Sequence, residues 1–366
     1  MNRLTPASFR LSVRILAASA LALPLLAQVS PDRAAARETA RARIRATYVK
    51  TEVRIPMRDG TKLFTAIYTP RDTTRAYPFL LLRAGWPAVG PKGLDQYPAQ
   101  LGPTPRFSDE GFIFVYQDVR GPAWDVVLTH GPKEVDASTD AYDTIDWLLK
   151  NVAHNNRRAG IWGVSQNGTF AVAGMIDAHP ALRAASPQAP SLERYFGDDL
   201  HHNGVLILAG SFPAPETVSG ANPDAYRFFL GMGPNKKGGH RYLGDSLLAP
   251  WDSMMAHPNY DTFWQKRSIT RQLAHIKPAV LFVAGWYDAG DLDGPLRASK
   301  AMDMLSAETD KTLVVGPWPH GGWRGGDRDR FGPIPFGQPT APFFRDSVEF
   351  PFFACALLDR CGSRLA

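Results

Sequence analysis

Cysteine is scarce in this 366-residue sequence, which contains two, Cys355 and Cys361. Neither has a histidine near it in the sequence, so we expect no metal-binding or catalytic role for them. In an exported protein, two cysteines can pair as a disulfide. On a continuous α-helix, however, side chains six positions apart point about 240° from one another. Pairing therefore requires a helix that carries Cys355 to end before Gly362.

The sequence also lacks a strong excess of charge of either sign. Its formal net charge is +6, and 21% of its residues are charged. Basic residues form no stripe interleaved with aromatic side chains, the pattern that indicates nucleic-acid binding, so we expect no nucleic-acid partner. Hydrophobic residues make up 44% of the chain, which is typical of a globular protein with a sizeable core. The 31 prolines and 32 glycines predict many turns and long ordered loops, as in an enzyme.

Long apolar runs are missing outside the N-terminal region. Residues 15–29 are apolar but too short to span a bilayer comfortably, and three arginines are the only charged residues before them. This pattern predicts a signal peptide over residues 1–29 and a periplasmic or secreted protein, with an uncleaved membrane anchor as the alternative. Residues 30–47, rich in Ala and Arg, are predicted to be a tether or surface helix. We expect no stable membrane span after signal cleavage.

Strand and helix patterns alternate along most of the remaining chain. Residues 62–69 alternate apolar and polar side chains, as in a half-exposed antiparallel strand, while residues 77–82 are continuously apolar, as in a buried strand. An antiparallel start followed by this alternation predicts an α/β fold with a mostly parallel sheet covered by helices on both faces. The predicted strands are 52–56, 62–69, 77–82, 111–116, 159–164, 181–189, 278–283 and 312–315, and the predicted helices are 138–152, the segment up to residue 179, 290–305 and 347–358.

Residues 190–275 interrupt the alternation. They are rich in aromatic residues, proline, glycine and histidine, with helical pieces at 224–229 and 262–273. We predict that they form a helical cap inserted over the carboxyl edge of the sheet, within a core made of residues 48–189 and 276–366. In the helix predicted at 138–152, Ser138 or Thr139 is the expected N-cap residue.

Ser165 follows an apolar stretch and precedes a helical one, in the run Gly-Val-Ser-Gln-Asn-Gly. A serine hydroxyl is a weak nucleophile unless the fold exposes it and a base takes its proton. A sharp turn between a strand and a helix exposes the hydroxyl and aims the helix N-terminus at the reacting centre. This motif alone also occurs by chance, so its interpretation depends on the rest of the sequence.

The base and the orienting carboxylate that a serine nucleophile needs follow two later strands. Asp288 comes after the predicted strand at 278–283, and His320 comes after the one at 312–315. Parallel sheets place functional groups beyond the carboxyl ends of their strands, and the chain order Ser, Asp, His is that of the α/β-hydrolase fold. Alone, Asp288 could be a helix N-cap, with Asp291 as a competitor for its role, and His320 could be a loop histidine.

Seven segments, which follow one another along the chain in the same order as in a known family, carry a resemblance to that family. The chain resembles the cocaine esterase and α-amino-acid ester hydrolase group of α/β-hydrolases, which is related to X-Pro dipeptidyl peptidases. The resemblance extends from about residue 53 to residue 358, and the Asp-Asp-x-x-His-Asn-Gly and Gly-Pro-Trp-x-His-Gly-Gly-Trp segments look most like the α-amino-acid ester hydrolase branch. The segments are 57–63, 117–121, 140–148, 161–168, 197–204, 285–288 and 316–323.

The resemblance implies a role for each matching residue. Ser165 would be the nucleophile, His320 the general base and then acid, and Asp288 the orienting acid. An oxyanion hole needs two donors, and the backbone N–H of Gln166 would be one of them. In the family the second is a tyrosine hydroxyl, but Trp86 stands there in this chain, and an indole N–H donates in a different direction.

Two acidic segments carry residue types that can bind metal ions. Residues 288–294 fail the spacing of a calcium-binding EF-hand loop. Asp198, Asp199, His201 and His202 include adjacent histidines, which rarely converge on one ion, and the resemblance implies a cap role for this segment. We therefore expect no metal and no cofactor. Asp199, or its neighbour Asp198, is a candidate for binding a cationic substrate amine, with a structural role in the cap as the alternative.

Members of the family that this chain resembles continue into a C-terminal β-sandwich of jelly-roll type. We expect this chain to lack that domain. The surface that such a domain covers would then be open, so we expect Phe350, Phe352 and Phe353 to be partly exposed and to favour a homo-oligomer.

The sequence thus predicts an exported serine hydrolase acting on a small-molecule ester or amide, with α-amino acid esters and acyl-peptide-like compounds implied by the resemblance. An X-Pro dipeptidyl-peptidase-like exopeptidase is the alternative enzyme, and a catalytically impaired hydrolase remnant is the alternative from another class.

Overall fold

A computed structural model describes residues 31–85, 92–120, 128, 135–212 and 224–362. The strands are β1 Tyr48–Pro56, β2 Lys62–Pro70, β3 Tyr77–Ala84, β4 Ile113–Asp118, β5 Asn155–Val164, β6 Leu182–Gln188, β7 His201–His202, β8 Val205–Leu206, β9 Ala279–Gly285, β10 Lys311–Gly316, β11 Arg330–Phe331 and β12 Ile334–Pro335.

The helices are α1 Pro31–Thr47, α2 Pro105–Glu110, α3 Ala137–Asn151, α4 Gln166–Met175, α5 Leu208–Ser211, α6 Ala225–Met232, α7 Asn235–Tyr242, α8 Asp245–Ala256, α9 Thr262–Gln265, α10 Asp293–Leu305, α11 Thr340–Phe344 and α12 Phe350–Leu358. A π-helical turn, Arg345–Glu349, joins α11 to α12.

Eight strands form one sheet in the order β1-β2-β4-β3-β5-β6-β9-β10. β2 pairs antiparallel with β1 and β4, whereas the neighbours from β4 to β10 all pair in parallel. The predicted fold class, a mostly parallel sheet with an antiparallel N-terminal edge, is therefore confirmed. Because the parallel strands run in one direction, the loops that follow β5, β9 and β10 emerge at the same edge.

Helices cover both faces of the sheet. Along β3, Phe79 and Leu81 belong to one buried apolar cluster and Leu80 belongs to another, because successive side chains of a strand point to opposite faces. The first cluster takes in residues of α3, α4 and α10, and the second takes in residues of α2 and α12. The continuously apolar sequence of β3 thus reflects burial on both sides.

The N-terminus of α3 differs from the prediction. Asp136, rather than Ser138 or Thr139, is the N-cap residue, and its carboxylate accepts hydrogen bonds from the backbone N–H groups of both. The Thr139 hydroxyl in turn accepts from the backbone N–H of Asp136 at 2.9 Å, which completes a capping box. Ser138 and Thr139 are therefore not the N-cap residues, and their backbone N–H groups are the ones that Asp136 caps.

The expected partial exposure is wrong for Phe350 and Phe353 and confirmed for Phe352. Phe350 is 4% exposed and Phe353 is 0% exposed, and Phe352 is partly buried. The rings of Phe350 and Phe353 contact Phe107 of α2, with centroids 5.1 and 5.8 Å apart, because α12 packs directly on the sheet. This burial removes the ground on which an oligomer was predicted, and the oligomer itself stays a prediction.

The chain turns back after α12. Asp359 adopts a left-handed conformation with φ 56°, so the helix ends at Leu358. Cys355 and Cys361 then approach to a Cα–Cα distance of 4.2 Å and form a disulfide. The helix end that this pairing requires is thus present.

The described part of residues 190–275 has an apolar cluster of its own, formed by Phe212, Met232, Leu243, Trp251, Met254 and Trp264. The helix predicted at 262–273 is broken: α9 is followed by a 3₁₀ turn at Thr270–Gln272. Between them, the Ser268 hydroxyl donates to the carboxylate of Glu193, and Thr270 contacts the same oxygen at 3.5 Å.

α1 lies on the surface before β1. Arg43 contacts Asp109 at 2.5 Å, and Arg45 donates to the backbone oxygen of Asp95 at 2.7 Å. Of the helices in the described ranges, none combines the length and the apolar character needed to cross a membrane. The predicted signal peptide, residues 1–29, lies outside the described residues.

Candidate active site

Three loops at the carboxyl edge of the parallel strands carry Ser165, Asp288 and His320. Ser165 follows β5 directly, Asp288 follows β9, and His320 follows β10. β9 and β10 pair in register, with Gly285 opposite Gly316, so the loops after them start side by side. The His320 loop also reaches β5, since a Cβ added at Gly321 would lie 3.7 Å from Cγ1 of Val164, the residue before Ser165.

Ser165 has a strained backbone between β5 and α4. Its φ of 62° and ψ of −133° are sparsely populated for a residue with a side chain. The Ser165 N–H donates to the Gln188 backbone oxygen at 2.9 Å, which ties the turn to the end of β6. Neighbouring positions require glycine, since a Cβ at Gly163 would lie 2.3 Å from the Asn167 oxygen and one at Gly168 2.6 Å from the Gln188 oxygen.

Asp288 is the carboxylate next to His320. The distance between His320 Nδ1 and Asp288 Oδ2 is 2.7 Å, and the Asp288 side chain is 1% exposed. The other carboxylate oxygen accepts from the backbone N–H groups of Gly290 at 3.1 Å and Asp291 at 3.0 Å. Burial opposes ionisation, but the bonds from His320 and the two N–H groups hold the pKa of Asp288 below its ordinary value.

The His320 imidazole is half exposed, with 42% of its side chain accessible. Its hydrogen bond to Asp288 raises the pKa of His320 above the ordinary histidine value, although burial acts in the opposite direction. When Nδ1–H donates to the carboxylate, Nε2 carries the lone pair and can accept a proton.

Asp291, the competitor in the sequence, is farther from His320. Its Oδ2 lies 3.7 Å from His320 Nδ1, and its Oδ1 is buried without a hydrogen-bond partner. Burial and the charges of Asp199, Asp198 and Asp288 raise the pKa of Asp291 well above its ordinary value. A carboxyl whose pKa is raised is a poorer partner than Asp288 for a histidine that must gain a proton.

Asp198 and Asp199 have different surroundings. Asp198 is fully buried, and its carboxylate accepts three backbone N–H bonds of 2.7 to 3.0 Å, from Leu192, Glu193 and Gly294. These bonds join the start of the 190–275 segment to α10, so Asp198 has a structural role. Asp199, in contrast, lines a cavity.

The cavity has a volume of about 250 Å³ and lies between Gln166 and the helices of the 190–275 segment. Apolar side chains form most of its lining, and polar groups of Gln166, Arg194, Asp199, Ser211 and Arg267 complete it. Sequence reasoning missed these residues except Gln166 and Asp199, since the only signal was the abundance of aromatic residues in the segment. The apolar side chains are Leu200, Leu247, Pro250, Trp251, Met254, Phe263 and Trp264.

Gln166 is the first residue of α4, so its backbone N–H has no partner within the helix. Its side-chain oxygen accepts from Arg194 at 3.0 Å. Trp86, the other predicted oxyanion donor, lies outside the described residues. Within the described ranges, no group of three or more His, Cys, Asp or Glu side chains is arranged to hold a metal ion.

Known proteins resemble this chain in sequence and in structure. Cocaine esterase from Rhodococcus sp. (strain MB1 Bresler) is 27% identical over 303 residues, which cover 77% of this chain and 50% of that protein. An aminopeptidase from the marine sediment archaeon Thaumarchaeota archaeon has a TM-score of 0.74 and 30% identity over 86% of this chain and 55% of its own. An α-amino acid ester hydrolase matches with the same TM-score of 0.74 and 30% identity, over 86% and 55%.

The chain spans about half the length of the curated relatives it matches. The resemblance to the cocaine esterase and α-amino-acid ester hydrolase group is confirmed. A model of the X-Pro dipeptidyl-peptidase (S15) family matches residues 59–322. Because that match covers well over half of the chain, this protein belongs to the X-Pro dipeptidyl-peptidase (S15) family.

Proposed function

We propose that the protein cleaves esters or amides by a serine-hydrolase mechanism, with Ser165 as the nucleophile, His320 as the base and Asp288 as the orienting acid. The observation that carries this proposal is the 2.7 Å contact between His320 Nδ1 and Asp288 Oδ2 at the edge where the strained Ser165 turn also lies. The contact leaves His320 Nε2 to accept the serine proton.

The reaction proceeds in two halves. Ser165 Oγ attacks the substrate carbonyl while His320 Nε2 takes its proton, and the resulting imidazolium protonates the leaving group. Asp288 stays ionised and stabilises the imidazolium. The oxyanion accepts a hydrogen bond from the backbone N–H of Gln166, the residue that follows the nucleophile. Water, activated by His320, then hydrolyses the acyl-enzyme and releases the acid.

An α-amino acid ester or a related amide is the substrate class that we propose. Asp199 supplies a carboxylate for a cationic amine, and the apolar lining beside it accommodates an acyl side chain. The relatives named for α-amino acid esters and for aminopeptidase activity support this choice.

An X-Pro dipeptidyl peptidase is the second candidate, and the name of the matching family model favours it. The substrates of the two candidates differ in the position of the amine relative to the cleaved bond and in the residue that precedes this bond. A substrate panel of α-amino acid esters and Xaa-Pro amides therefore separates them by the ratio of their kcat/KM values.

A catalytically impaired hydrolase is the third candidate. Trp86 in place of the family's tyrosine favours it, because losing one oxyanion donor typically costs about 10²–10³ in turnover. A fluorophosphonate probe distinguishes this candidate from the first two: a folded protein that stays unlabelled is impaired.

We also propose that the protein is exported to the periplasm or secreted. The apolar segment at residues 15–29 supports this proposal, and so does the Cys355–Cys361 disulfide, because disulfides persist in oxidising compartments.

A serine-to-alanine exchange tests the mechanism. With an activated ester, the wild type should release a burst of product and Ser165→Ala should release none, because no acyl-enzyme can form. The control is Ser108→Ala on α2, whose hydroxyl contacts only the Pro105 oxygen. An undiminished burst in Ser165→Ala would contradict the proposal.

A further inference from the structure

A buried hydrogen-bond network lies directly behind the Ser165 turn and the His320 loop. Its centre is Gln188, the last residue of β6, which is 1% exposed. The backbone oxygen of Gln188 accepts from Ser165 N–H at 2.9 Å, so this residue already holds the nucleophile's turn. Its side chain points to partners from two other parts of the chain, Trp323 and Glu349.

The direction of each bond in this network follows from the chemistry of the donors. The Trp323 indole nitrogen lies 2.6 Å from Gln188 Oε1, and an indole N–H can only donate. The Gln188 amide therefore has its oxygen towards Trp323 and its nitrogen towards Ser186 at 3.1 Å and Glu349 Oε1 at 2.6 Å. The Ser186 hydroxyl donates to the Leu281 oxygen at 3.1 Å, so it accepts from Gln188.

Gln188 thus has both amide hydrogens and its side-chain oxygen bonded, which leaves one orientation for the side chain. Trp323 follows His320 by three residues in the same loop, so its indole ties that loop to the end of β6. Glu349 is 2% exposed and ends the π-helical turn at Arg345–Glu349. Buried polar side chains that are fully bonded specify a single arrangement of the elements they join.

The π-helical turn holds the His320 loop at a second point. Arg345, at its start, donates to the backbone oxygen of Trp323 at 2.9 Å. Arg345 therefore binds the backbone oxygen of Trp323 directly, and Glu349 acts on the indole of the same residue through Gln188.

We propose that Glu349 is a positioning residue for hydrolysis: acting through Gln188, it holds the Ser165 turn and the His320 loop in one relative arrangement. This inference rests on the serine-hydrolase function proposed above. It extends that function to a turn more than 20 residues after His320 along the chain, between α11 and α12. Loss of the Glu349 acceptor leaves one Gln188 N–H unpaired, and the amide can then rotate away from Trp323.

The test measures kcat per active site, counted by complete titration with a fluorophosphonate. Glu349→Leu removes the acceptor and should lower kcat per site about tenfold to a hundredfold, with KM within about twofold, because misplaced reacting groups slow the chemical step. Glu349→Gln keeps an acceptor oxygen for Gln188 and should retain most of the wild-type kcat.

A reversed pair tests the coupling itself. Gln188→Glu sets two carboxylates against each other and should lower kcat, while the double variant Gln188→Glu/Glu349→Gln restores a donor facing an acceptor and should recover activity. Ser306→Ala is the control for stability alone, since Ser306 bonds Ile276 N–H and the Leu273 oxygen before β9. It should lower the melting temperature and leave kcat per site unchanged.

The outcomes separate the two proposals. If the wild type neither turns over an ester nor becomes labelled at Ser165, the hydrolase function and this inference both fail. If the wild type is active but Glu349→Leu keeps wild-type kcat per labelled site, or the double variant recovers nothing over Gln188→Glu, only the positioning role is overturned.

Discussion

Two aspartates lie beside His320, and their surroundings shift their pKa values in opposite directions. Asp288 accepts backbone N–H bonds that favour its ionised form, whereas Asp291 is buried among other carboxylates and has an unpartnered oxygen. At the residue scale, therefore, the local donors decide which carboxylate can support an imidazolium. The spacing of the two aspartates in the sequence does not decide this.

The first prediction at this scale concerns pH. His320 must be neutral to accept the Ser165 proton, so kcat/KM should fall as the pH drops through the pKa of His320. Because Asp288 raises that pKa, the fall should start at a higher pH than for an ordinary histidine, whose pKa is about 6.5. In Asp288→Asn the acid limb should move to lower pH, and kcat should drop about 10³–10⁴-fold through the wrong tautomer.

Asp291→Asn is the matched control for this pH profile. Because burial and the neighbouring carboxylates raise the pKa of Asp291, and because it lies farther from His320 than Asp288 does, replacing it with an amide should leave the acid limb in place. If Asp291→Asn moved the limb and Asp288→Asn did not, the assignment of the orienting acid would be reversed.

At the scale of elements, α3 shows how a helix start depends on a residue outside the periodic pattern. The apolar face of α3 is visible in the sequence, and Ile145 and Leu148 are buried as that face requires. The start is set by Asp136, whose carboxylate accepts two backbone N–H bonds of the first turn. Ser138, Thr139 and Asp136 are all residues that cap helices well, so composition alone does not choose among them.

We expect Asp136→Ala to lower the free energy of unfolding by about 1 kcal/mol, because it removes the acceptor for two helix N–H groups. Urea denaturation measures this change. Asp136→Asn, which keeps an acceptor oxygen, should cost less than Asp136→Ala. Equal costs for the two variants would contradict the capping role.

The Ser165 turn is the element that the sequence predicted most fully. The motif is a strand followed by a glycine, the serine and a second glycine, which together specify a sharp turn. At both Gly163 and Gly168, an added Cβ would lie closer than 3 Å to backbone atoms. The requirement at Gly163 is local, since Asn167 is four residues away, whereas the requirement at Gly168 comes from Gln188 on the neighbouring strand β6. The network behind the turn is not local: Gln188 and Glu349 are 161 residues apart.

At the scale of the whole molecule, the proposed export and the disulfide are linked. Cys355–Cys361 ties the last described turn to α12, and α12 covers one face of the sheet through Phe353 and Leu357. A cross-link that closes so short a loop should contribute about 2 kcal/mol. The stability of the protein should therefore depend on the redox state of its compartment.

Cys355→Ser/Cys361→Ser tests this dependence. In urea denaturation the wild type should lose about 2 kcal/mol on addition of a reductant, while the double variant should already lack this contribution and respond to no reductant. Equal stability of oxidised and reduced wild type would contradict the prediction.

The sequence by itself determined the sheet and the place of the candidate site. Strand patterns and turn motifs are local, and parallel strands bring their carboxyl ends to one edge, so the sequence predicts Ser165, Asp288 and His320 at that edge. Only the tertiary structure decided that Asp288 rather than Asp291 bonds His320, that Asp198 is structural and that Phe350 is buried. It alone joined Glu349 to the Ser165 turn, because burial and hydrogen bonding depend on residues that only the folded chain brings together.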